Sequence, residues 1–465
     1  MTAIGSRVVQ PLVREIAWCD PQQAFSPFAQ DRHAVLLDLG EPATPESRYA
    51  YLCLSPYATQ QGDSLEVTAD PFQALATALA AVEWQADPNP DLPPFQGGIC
   101  GFLAYECGAW LERLPTPKPV EPVLPLWSFG LYDLVVACDR QQQRTWVFSS
   151  GLPLQDPRDR QQRAEQRLQW VCDRLVSAPP LTPPDWQLQS SWQALQTQAD
   201  FCQAVDRVQR HIRAGDIFQA NLTTAFRAQL PTDLSPWQLY RRLYQLSPEP
   251  FSAYFAGGDF QLLSVSPERF LRLDRDGWVE TRPIKGTRPR SADPARDRQW
   301  AADLQASEKD RAENVMIVDL LRNDLGRVCR PHSIQVPQLC QLESYEHVHH
   351  LTSQVIGQLR SGLTAVDLLQ ATFPGGSITG APKIRSMEII HDLEPIPRQA
   401  YCGSLFWLGF DGSLDASILI RTLQLSQGQV LAQAGCGIVA DSDPLEEYAE
   451  MQVKVQPLLR SLQPR

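Results

Sequence analysis

The run Arg-Pro-Ile-Lys-Gly-Thr-Arg-Pro-Arg at residues 282–290 places one lysine, Lys285, among three arginines. A lysine attacks carbon only through its uncharged amine, and an ordinary lysine with a pKa near ~10.4 is almost fully charged at neutral pH. Neighbouring cations and burial both favour the uncharged form of an amine. The spacing can therefore permit covalent chemistry at Lys285. The alternative is a basic surface turn that binds phosphate or no ligand at all.

Acidic residues recur at a spacing of three in two predicted helices. In the first helix, Asp310 and Glu313 continue the inward face formed by the apolar residues at 316–320, which predicts that Glu313 is partly buried. In the second helix, Glu447 and Glu450 share one face. Mg²⁺ prefers one or two carboxylates together with water and substrate oxygens, so these pairs are candidate metal ligands. A solvated helix face is the alternative for each pair.

A proline-rich segment at 178–186 separates two parts of the chain. It follows a predicted helix rich in glutamine and arginine and precedes a segment in which helical periodicity resumes. We interpret it as a linker. The sequence therefore predicts an N-terminal region at 1–185 and a catalytic domain at 186–465.

The elements around these residues predict an α+β fold. The N-terminal part mixes strands with a helix and lacks a regular βαβ pattern; we predict strands at 34–39 and 131–139 and a helix at 72–84. The C-terminal part contains three strand candidates, at 402–410, 414–424 and 429–439. An Asp-Gly turn at 411–412 joins the first two.

Composition excludes several classes of function. The chain has 465 residues, of which 43% are hydrophobic, so it can bury a large core. Its net charge of -12 disfavours nucleic acid and anionic membranes as partners. Its 11 cysteines are scattered without any Cys-x-x-Cys pair, and neither a secretory signal nor a membrane-spanning stretch is visible. We therefore expect a cytoplasmic protein with reduced thiols and without nucleic acid or membrane partners.

Eight motifs occur in a diagnostic order: AGDIFQANL (214–222), SPERF (266–270), PIKGT (283–287), KDRAENVMIVDLLRNDLG (309–326), HHLTSQVIG (349–357), FPGGSITGAPKIRSMEII (373–390), IRT (420–422) and AGCGIVADSDPLEEYAE (434–450). This order resembles the chorismate-utilising enzymes. The resemblance implies a large two-layer β-sheet/helix chorismate-binding fold. A looser resemblance at 36–49 and 97–108 implies the N-terminal α+β region of the amino-transferring members, which are related to anthranilate synthase component I.

Three positions discriminate within that family. Isochorismate and salicylate synthases carry a water-activating lysine where this chain has Gln219. Anthranilate synthases usually have alanine where this chain has Lys285, and lysine there is typical of aminodeoxychorismate synthases. Residues 250–253 (Pro-Phe-Ser-Ala) also resemble the latter group. The resemblance thus favours aminodeoxychorismate synthase component I, in the pathway to 4-aminobenzoate and folate. Anthranilate synthase component I, with pyruvate release and the histidine at His350, is the alternative.

The resemblance assigns the catalytic roles to Lys285 and Glu268. As a hypothesis, the Lys285 amine attacks C2 of chorismate while the C4 hydroxyl leaves with a proton from Glu268. Ammonia then enters at C4 and expels the lysine, which gives 4-amino-4-deoxychorismate.

The resemblance also implies a binding site for substrate and metal. The substrate-binding residues would be Gly286, Thr287, His350, Ser377, Tyr401, Arg421, Gly435, Cys436 and Gly437. Mg²⁺ would bind to Glu313 and Glu450, while Asp310 and Glu447 hold its waters. The family usually has alanine at the position of Cys436, and we expect no change of role there.

No segment resembles a glutaminase nucleophile loop. We therefore expect ammonia to come from solution or from a separate glutamine amidotransferase subunit. A non-catalytic, tryptophan-sensing subunit is a further alternative, against which the complete set of motifs argues.

Overall fold

The structure, a computed structural model, describes residues 8–38, 48–63, 65, 70–176, 191–345 and 348–463. Its strands up to residue 229 are β1 Leu12–Ile16, β2 Val35–Asp38, β3 Tyr49–Cys53, β4 Ala58–Gly62, β5 Gly98–Leu103, β6 Trp127–Tyr132, β7 Leu134–Asp139, β8 Arg144–Ser149, β9 Gln193–Ala194 and β10 Gln219–Gln229. The later strands are β11 Phe251–Ala256, β12 Phe260–Ser266, β13 Arg269–Leu273, β14 Trp278–Thr281, β15 Ile284–Pro289, β16 Gln335–Ser344, β17 Val348–Gln358, β18 Gly380–Ala381, β19 Ser404–Gly409, β20 Leu414–Ile418, β21 Thr422–Ser426 and β22 Gln429–Ile438.

The helices are α1 Pro21–Phe25, α2 Pro71–Ala80, α3 Pro157–Val176, α4 Gln198–Arg213, α5 Pro236–Leu246, α6 Pro294–Ala306, α7 Glu308–Gly326, α8 Ala365–Thr372, α9 Lys383–Leu393 and α10 Pro444–Ser461. Short 3-10 turns lie at Ser26–Phe28, Tyr105–Trp110 and Gly376–Ile378. Many helices begin at a side-chain cap. Asp443, for example, accepts hydrogen bonds from the backbone N–H groups of Leu445 and Glu446, and Pro444 occupies the first position of α10.

Two large antiparallel sheets form the frame of the molecule. The first sheet has the order β1-β8-β7-β3-β2-β11-β12-β21-β22-β10-β18, with β9 paired to β10. The second has the order β15-β17-β14-β13-β20-β19-β5-β6-β4, with β16 paired to β17. Both sheets combine strands from before and after residue 185. The α+β prediction is confirmed.

The two sheets pack face to face through aromatic and aliphatic side chains. Phe102 of the second sheet lies edge-on to Phe255 and Phe260 of the first, with ring centroids 5.7 and 5.6 Å apart. Tyr51 of the first sheet contacts Trp407 of the second in the same way. Two further buried clusters lie between the sheets and the helices on their outer faces. Burial of this apolar area is the main stabilising contribution to the fold.

The chain passes between the sheets at two adjacent places. Residues 267–268 connect β12 in the first sheet to β13 in the second, and residues 419–421 connect β20 in the second sheet to β21 in the first. The two connections are hydrogen-bonded to each other, since Ile418 N–H donates to the Glu268 carbonyl at 3.1 Å and Val265 N–H to the Arg421 carbonyl at 3.1 Å. This paired crossing fixes the backbone on which Glu268 and Arg421 stand.

Several predicted elements agree with the structure, and two predicted strands are wrong in one respect. The helix at 72–84 and the Asp-Gly turn at 411–412 are found. The predicted strands at 131–139 and 414–424 are each broken into two strands that belong to different sheets. The predicted linker lies within 177–190, outside the described residues. Among the described residues, no helix is long and apolar enough to cross a membrane.

Candidate functional site

Glu268 lies at the crossing between the sheets and is 5% exposed. Burial raises the pKa of its carboxyl to about 7, although a hydrogen bond with the Ser377 side chain and the charge of Lys285 both act in the opposite direction. A carboxyl with this pKa is partly protonated at neutral pH. It is therefore suited to deliver a proton to a leaving oxygen.

Lys285 lies on β15, at the edge of the second sheet, and points towards the same place. Its Nζ donates a hydrogen bond to the Ser377 carbonyl at 3.1 Å. A Cβ built at Gly437 on β22 would lie 3.5 Å from Lys285 Nζ and only 2.1 Å from Gln219 Nε2. Residues from both sheets therefore meet around the lysine amine. Ser377, whose side chain bonds to Glu268 and whose carbonyl bonds to Lys285, links the two predicted catalytic residues.

The arginines near Lys285 do not act as predicted. Arg282 forms an ion pair with Glu343, Arg288 with Asp310 at 3.0 Å, and Arg290 with Asp297 at 2.9 Å. Because each guanidinium has its own carboxylate partner, the positive charge of the run is largely offset. The expectation that these cations favour the neutral amine is wrong. The alternative of an anion-binding basic turn loses its support for the same reason.

Gly286 and Thr287 hold β15 against its neighbours. Gly286 has φ +83°, and a Cβ there would lie 2.9 Å from Asp310 Cγ, so both the backbone conformation and the close approach require glycine. Thr287 pairs with His350 across β15 and β17, and its hydroxyl lies 2.9 Å from His350 Nδ1. Burial lowers the pKa of His350 to about 3, so the ring is neutral at pH 7, and its Nε2 is buried without a hydrogen-bond partner.

Arg421 stands at the second crossing with φ +50°. Its guanidinium forms an ion pair with Glu249 and is close enough to His350 to help lower the pKa of that ring. Tyr401 is 3% exposed, and its hydroxyl hydrogen-bonds with the Cys402 side chain. Arg421 thus lies beside His350, whereas Tyr401 contacts Cys402, whose buried thiol is near enough to Glu268 for that carboxylate to help raise the pKa of the thiol.

Helices α7 and α10 bring the predicted metal ligands together with lysines. Lys309 Nζ lies 3.1 Å from Glu447, which is buried, and Lys454 Nζ lies 2.7 Å from Glu450, whose side chain is 53% exposed. Burial raises the pKa of the partly buried Glu313, with further repulsion from Glu447 and Asp310. Lys454 lowers the pKa of Glu450.

This group of carboxylates has the donor chemistry for Mg²⁺. Burial disfavours the charged form of Glu313 more than Lys285 and Lys309 stabilise it, and a divalent cation would stabilise that charge further. One side-chain ligand atom from each of Cys436, Glu447 and Glu450 lies within 4.8 Å of the others. The thiol is a poor ligand for a hard cation, so the carboxylates are the better candidates. The partial burial predicted for Glu313 is confirmed.

The glycine-rich end of β22 connects the metal candidates to the lysine site. Lys454 Nζ donates to the Gly435 carbonyl at 3.2 Å, and the Cys436 thiol donates to the Glu447 carbonyl at 3.3 Å. Cys436 is fully buried. Its thiol therefore packs against α10, and only its backbone is available for the role predicted from the motif.

Sequence reasoning missed two groups in this region. Glu249, which partners Arg421, comes from a loop 172 residues earlier in the chain and carries no periodic signal. Lys309 partners Glu447 from another helix. The charge of each was visible in the sequence, but its partner was not, because both contacts depend on tertiary packing.

Comparisons with known proteins agree on one family. The sequence profile of the chorismate binding enzyme family matches residues 37–460. The chain is 41% identical to aminodeoxychorismate synthase component 1 of Salmonella typhimurium, over 98% of this chain and 99% of the relative. It is 40% identical to anthranilate synthase component 1 of Thermus thermophilus, over 87% of this chain and 85% of the relative. The crystal structure of anthranilate synthase component I from Streptococcus pneumoniae aligns with a TM-score of 0.78 and 29% identity, over 90% and 94% of the two chains.

Proposed function

This chain belongs to the chorismate-binding enzyme family, and we propose that it is aminodeoxychorismate synthase component I, which converts chorismate and ammonia to 4-amino-4-deoxychorismate. The observation that carries the proposal is that Lys285 and Glu268 both contact Ser377. The lysine amine donates a hydrogen bond to the Ser377 carbonyl, and the Glu268 carboxyl hydrogen-bonds with the Ser377 side chain. A nucleophilic amine and a proton donor within one pocket are the two groups that displacement of a hydroxyl requires.

The first step forms a covalent adduct. The uncharged Lys285 amine bonds to C2 of the ring, both ring double bonds shift, and the C4–O bond breaks. The Glu268 carboxyl gives its proton to the departing hydroxyl, which leaves as water. Its pKa of about 7 supports this role, because the proton is present at neutral pH and is not held too tightly to be given up.

The second step reverses the displacement. Ammonia bonds to C4, both ring double bonds shift back, and the C2–N bond to Lys285 breaks, so that the enolpyruvyl group stays on the product. One proton is released from the incoming ammonia, and the Glu268 carboxylate is positioned to accept it. Splitting one difficult substitution into two easier ones is the advantage of a covalent route.

Gln219 supports ammonia rather than water as the second nucleophile. Its side chain is 1% exposed, its Nε2 lies beside Gly437 and Lys285, and its Oε1 has no hydrogen-bond partner. An amide oxygen accepts a hydrogen bond from ammonia but is too weak a base to remove a proton from water.

Glu313 and Glu450 would hold Mg²⁺, with Asp310 and Glu447 orienting its waters. The metal would supply positive charge for the ring carboxylate of the substrate. Arg421, beside the neutral His350, would bind the second carboxylate by exchanging part of its contact with Glu249. Thr287 and the backbone of Gly435 and Gly437 would complete the walls around the ring.

The names of the curated relatives designate a component 1, which supports a partner that supplies ammonia from glutamine. We propose a separate glutamine amidotransferase subunit for this chain. The isolated protein would then use ammonium salts but not glutamine, and the subunit would restore glutamine-dependent activity.

The proposal is tested by intact-mass spectrometry of protein mixed with chorismate and Mg²⁺ without ammonia. We expect a species heavier than the free protein by chorismate minus water, which disappears when ammonium is added. Lys285→Arg, which keeps the positive charge and the length of the side chain, should not form this species. A wild-type protein that consumes chorismate but never gains this mass would refute the covalent route.

Anthranilate synthase component I is the second candidate, favoured by the 40% identity to the Thermus thermophilus enzyme and by the buried, neutral His350. The same reaction mixture with ammonium separates the two. Anthranilate fluorescence and pyruvate, formed without any added lyase, would select this candidate. A non-fluorescent product that retains the enolpyruvyl group would select aminodeoxychorismate.

A further inference from the structure

A second pocket lies beside α9, and none of its lining residues belongs to the lysine site. It is bounded by the 3-10 turn Tyr105–Trp110, by the segment 114–118 and by α9, and its cavity has a volume of about 50 Å³ below an open mouth. Apolar side chains line most of the pocket wall, among them Leu114, Met387, Ile390 and Ile396. Such a concave, mostly apolar surface with a few polar groups is the usual form of a small-molecule site.

Two residues that line this pocket each keep one buried oxygen without a hydrogen-bond partner. These atoms are the Tyr105 hydroxyl oxygen and Glu106 Oε2. Glu106 Oε1 is occupied, because it accepts the Arg398 N–H at 2.8 Å. Buried polar atoms are nearly always hydrogen-bonded in folded proteins. Two unpartnered oxygens beside one cavity therefore indicate that a donor from outside the chain belongs there.

Charge favours a cationic donor at this place. Burial raises the pKa of Glu106 to about 7, and the nearest guanidinium, that of Arg398, is already bound by both oxygens of Glu394. An ammonium group brought in by a ligand would stabilise the ionised form of Glu106 and satisfy its free oxygen.

We propose that this pocket binds a small molecule with an apolar body and a primary amine, the amine directed at Glu106 and the body packed against α9. Lys118 closes the rim: its Nζ donates to the Glu394 carbonyl at 2.5 Å and holds the segment 114–118 over the cavity. His391 Nε2 lies 2.9 Å from the Thr116 carbonyl and holds the same segment.

The pocket has a direct connection to the lysine site. Arg398, whose guanidinium lies over the Tyr105 ring at 4.4 Å, donates through Nη1 to the Ile378 carbonyl at 2.8 Å. Ile378 follows Ser377, whose carbonyl accepts the Lys285 amine. A ligand that reorients Tyr105 or Glu106 would therefore shift Arg398 and, through one peptide unit, the partner of Lys285. This part of the inference rests on the proposed function, whereas binding to the pocket does not.

Calorimetric titration with benzylamine tests the site, with benzyl alcohol as a probe of the same shape without charge. We expect benzylamine to bind one-to-one to the wild type. Glu106→Gln, which keeps the contact with the Arg398 N–H, should weaken benzylamine at least about tenfold and leave benzyl alcohol unchanged. Ala109→Trp, which fills the cavity from its wall, should abolish binding of both probes. Absence of binding to the wild type, or binding unaffected by either substitution, would overturn the proposal.

Chorismate consumption tests the connection. Saturating benzylamine should change the half-saturating chorismate concentration of the wild type about fivefold, and it should have no effect on Ala109→Trp. The same change in both proteins would mean that the amine acts in the lysine site and would overturn the connection. Because calorimetry needs no turnover, failure of the pocket and failure of the proposed function remain distinguishable.

Discussion

Glu268 illustrates how a single residue can serve function at the expense of stability. Its carboxyl is buried at the crossing of the two sheets, where its pKa rises to about 7 from an ordinary value of 4.5. In the unfolded chain the group ionises near that lower value, so folding holds a proton that the unfolded chain has already lost. The proton that catalysis requires is therefore retained against a cost in folding free energy.

The pH dependence of turnover should follow this carboxyl. Since Glu268 acts in its protonated form, kcat should fall as the pH rises through about 7, after correction for the fraction of free ammonia. Glu268→Gln should lower kcat by about 100-fold or more and abolish the dependence. A wild-type profile that stays flat between pH 6 and 9 would contradict the assignment.

Glu268→Gln should lower kcat but raise the stability of the protein. Between the unfolded pKa of 4.5 and the folded pKa of about 7, the native state binds the extra proton, so its stability falls as the pH rises through this window. Above a pH of about 7, the loss of stability caused by this carboxyl no longer changes with pH. Glu268→Gln has no such penalty and should be more stable than the wild type by about 1–3 kcal/mol at pH 8, with no gain at pH 4.5. Urea denaturation at both pH values measures the difference.

Glu313 should govern the response to Mg²⁺. Its raised pKa shows that burial and neighbouring acids disfavour its charge, and a bound divalent cation would reverse this. Mg²⁺ should raise the melting temperature of the protein. In Glu313→Gln, the Mg²⁺ concentration that gives half of this increase should be about 10–100-fold higher than in the wild type. Asp319→Asn, on the exposed face of the same helix, is the matched control and should behave as the wild type. Equal responses of both variants would exclude Glu313 as a ligand.

The sequence predicted the residues of the site better than their charges. Lys285 and Glu268, which were predicted as the catalytic pair, both contact Ser377, and the partial burial predicted for Glu313 is found, while the catalytic roles of the pair stay predictions. The arginines of the run were expected to act on Lys285, but each of them pairs with a carboxylate on another element. Spacing along one strand or helix can be read from a sequence, whereas an ion pair across the fold depends on packing.

Among the elements, β10 and β22 bring Gln219 and Gly437 into contact beside Lys285. Gly437→Ala should displace the Gln219 amide, because the new Cβ would lie 2.1 Å from its Nε2. We expect ammonia-dependent kcat/KM to fall by about tenfold or more with a smaller loss in formation of the chorismate adduct. Gly326→Ala, at the end of α7, where the added Cβ would meet nothing nearer than 4.0 Å and the backbone is not left-handed, is a control for the general cost of replacing glycine. An equal loss in both half-reactions would show that the substitution disturbs the whole pocket.

The broken strands mark the limit of prediction at this scale. Alternating apolar residues at 131–139 and 414–424 favour continuous strands, and the structure divides each between two sheets. Arg421 adopts φ +50° at one of these breaks without any glycine to signal it. Because both faces of both sheets are covered, the residues on either side of a crossing are apolar, and the pattern conceals the change of sheet.

At the scale of the molecule, each of the two sheets joins strands of the N-terminal part to strands of the C-terminal part. β2 and β5 from the N-terminal part pair with β11 and β19 from the C-terminal part. Removal of residues 1–190 would expose the edges of both sheets and the aromatic cluster between them. We expect such a fragment to be insoluble or to lack a cooperative transition, while the full chain unfolds in one calorimetric step. A soluble fragment with its own sharp transition would instead support a domain boundary near residue 185.

The pairing of β5 with β19 has a consequence for synthesis on the ribosome. Gly98–Leu103 is made about 300 residues before its neighbour Ser404–Gly409, an interval of roughly 15–60 s at ordinary rates of elongation. During that time one edge of this strand in the nascent chain has backbone N–H and C=O groups without their partner strand, and such an edge can pair with another chain. Chaperone demand and losses to aggregation during expression should therefore depend on translation speed across the second half of the message.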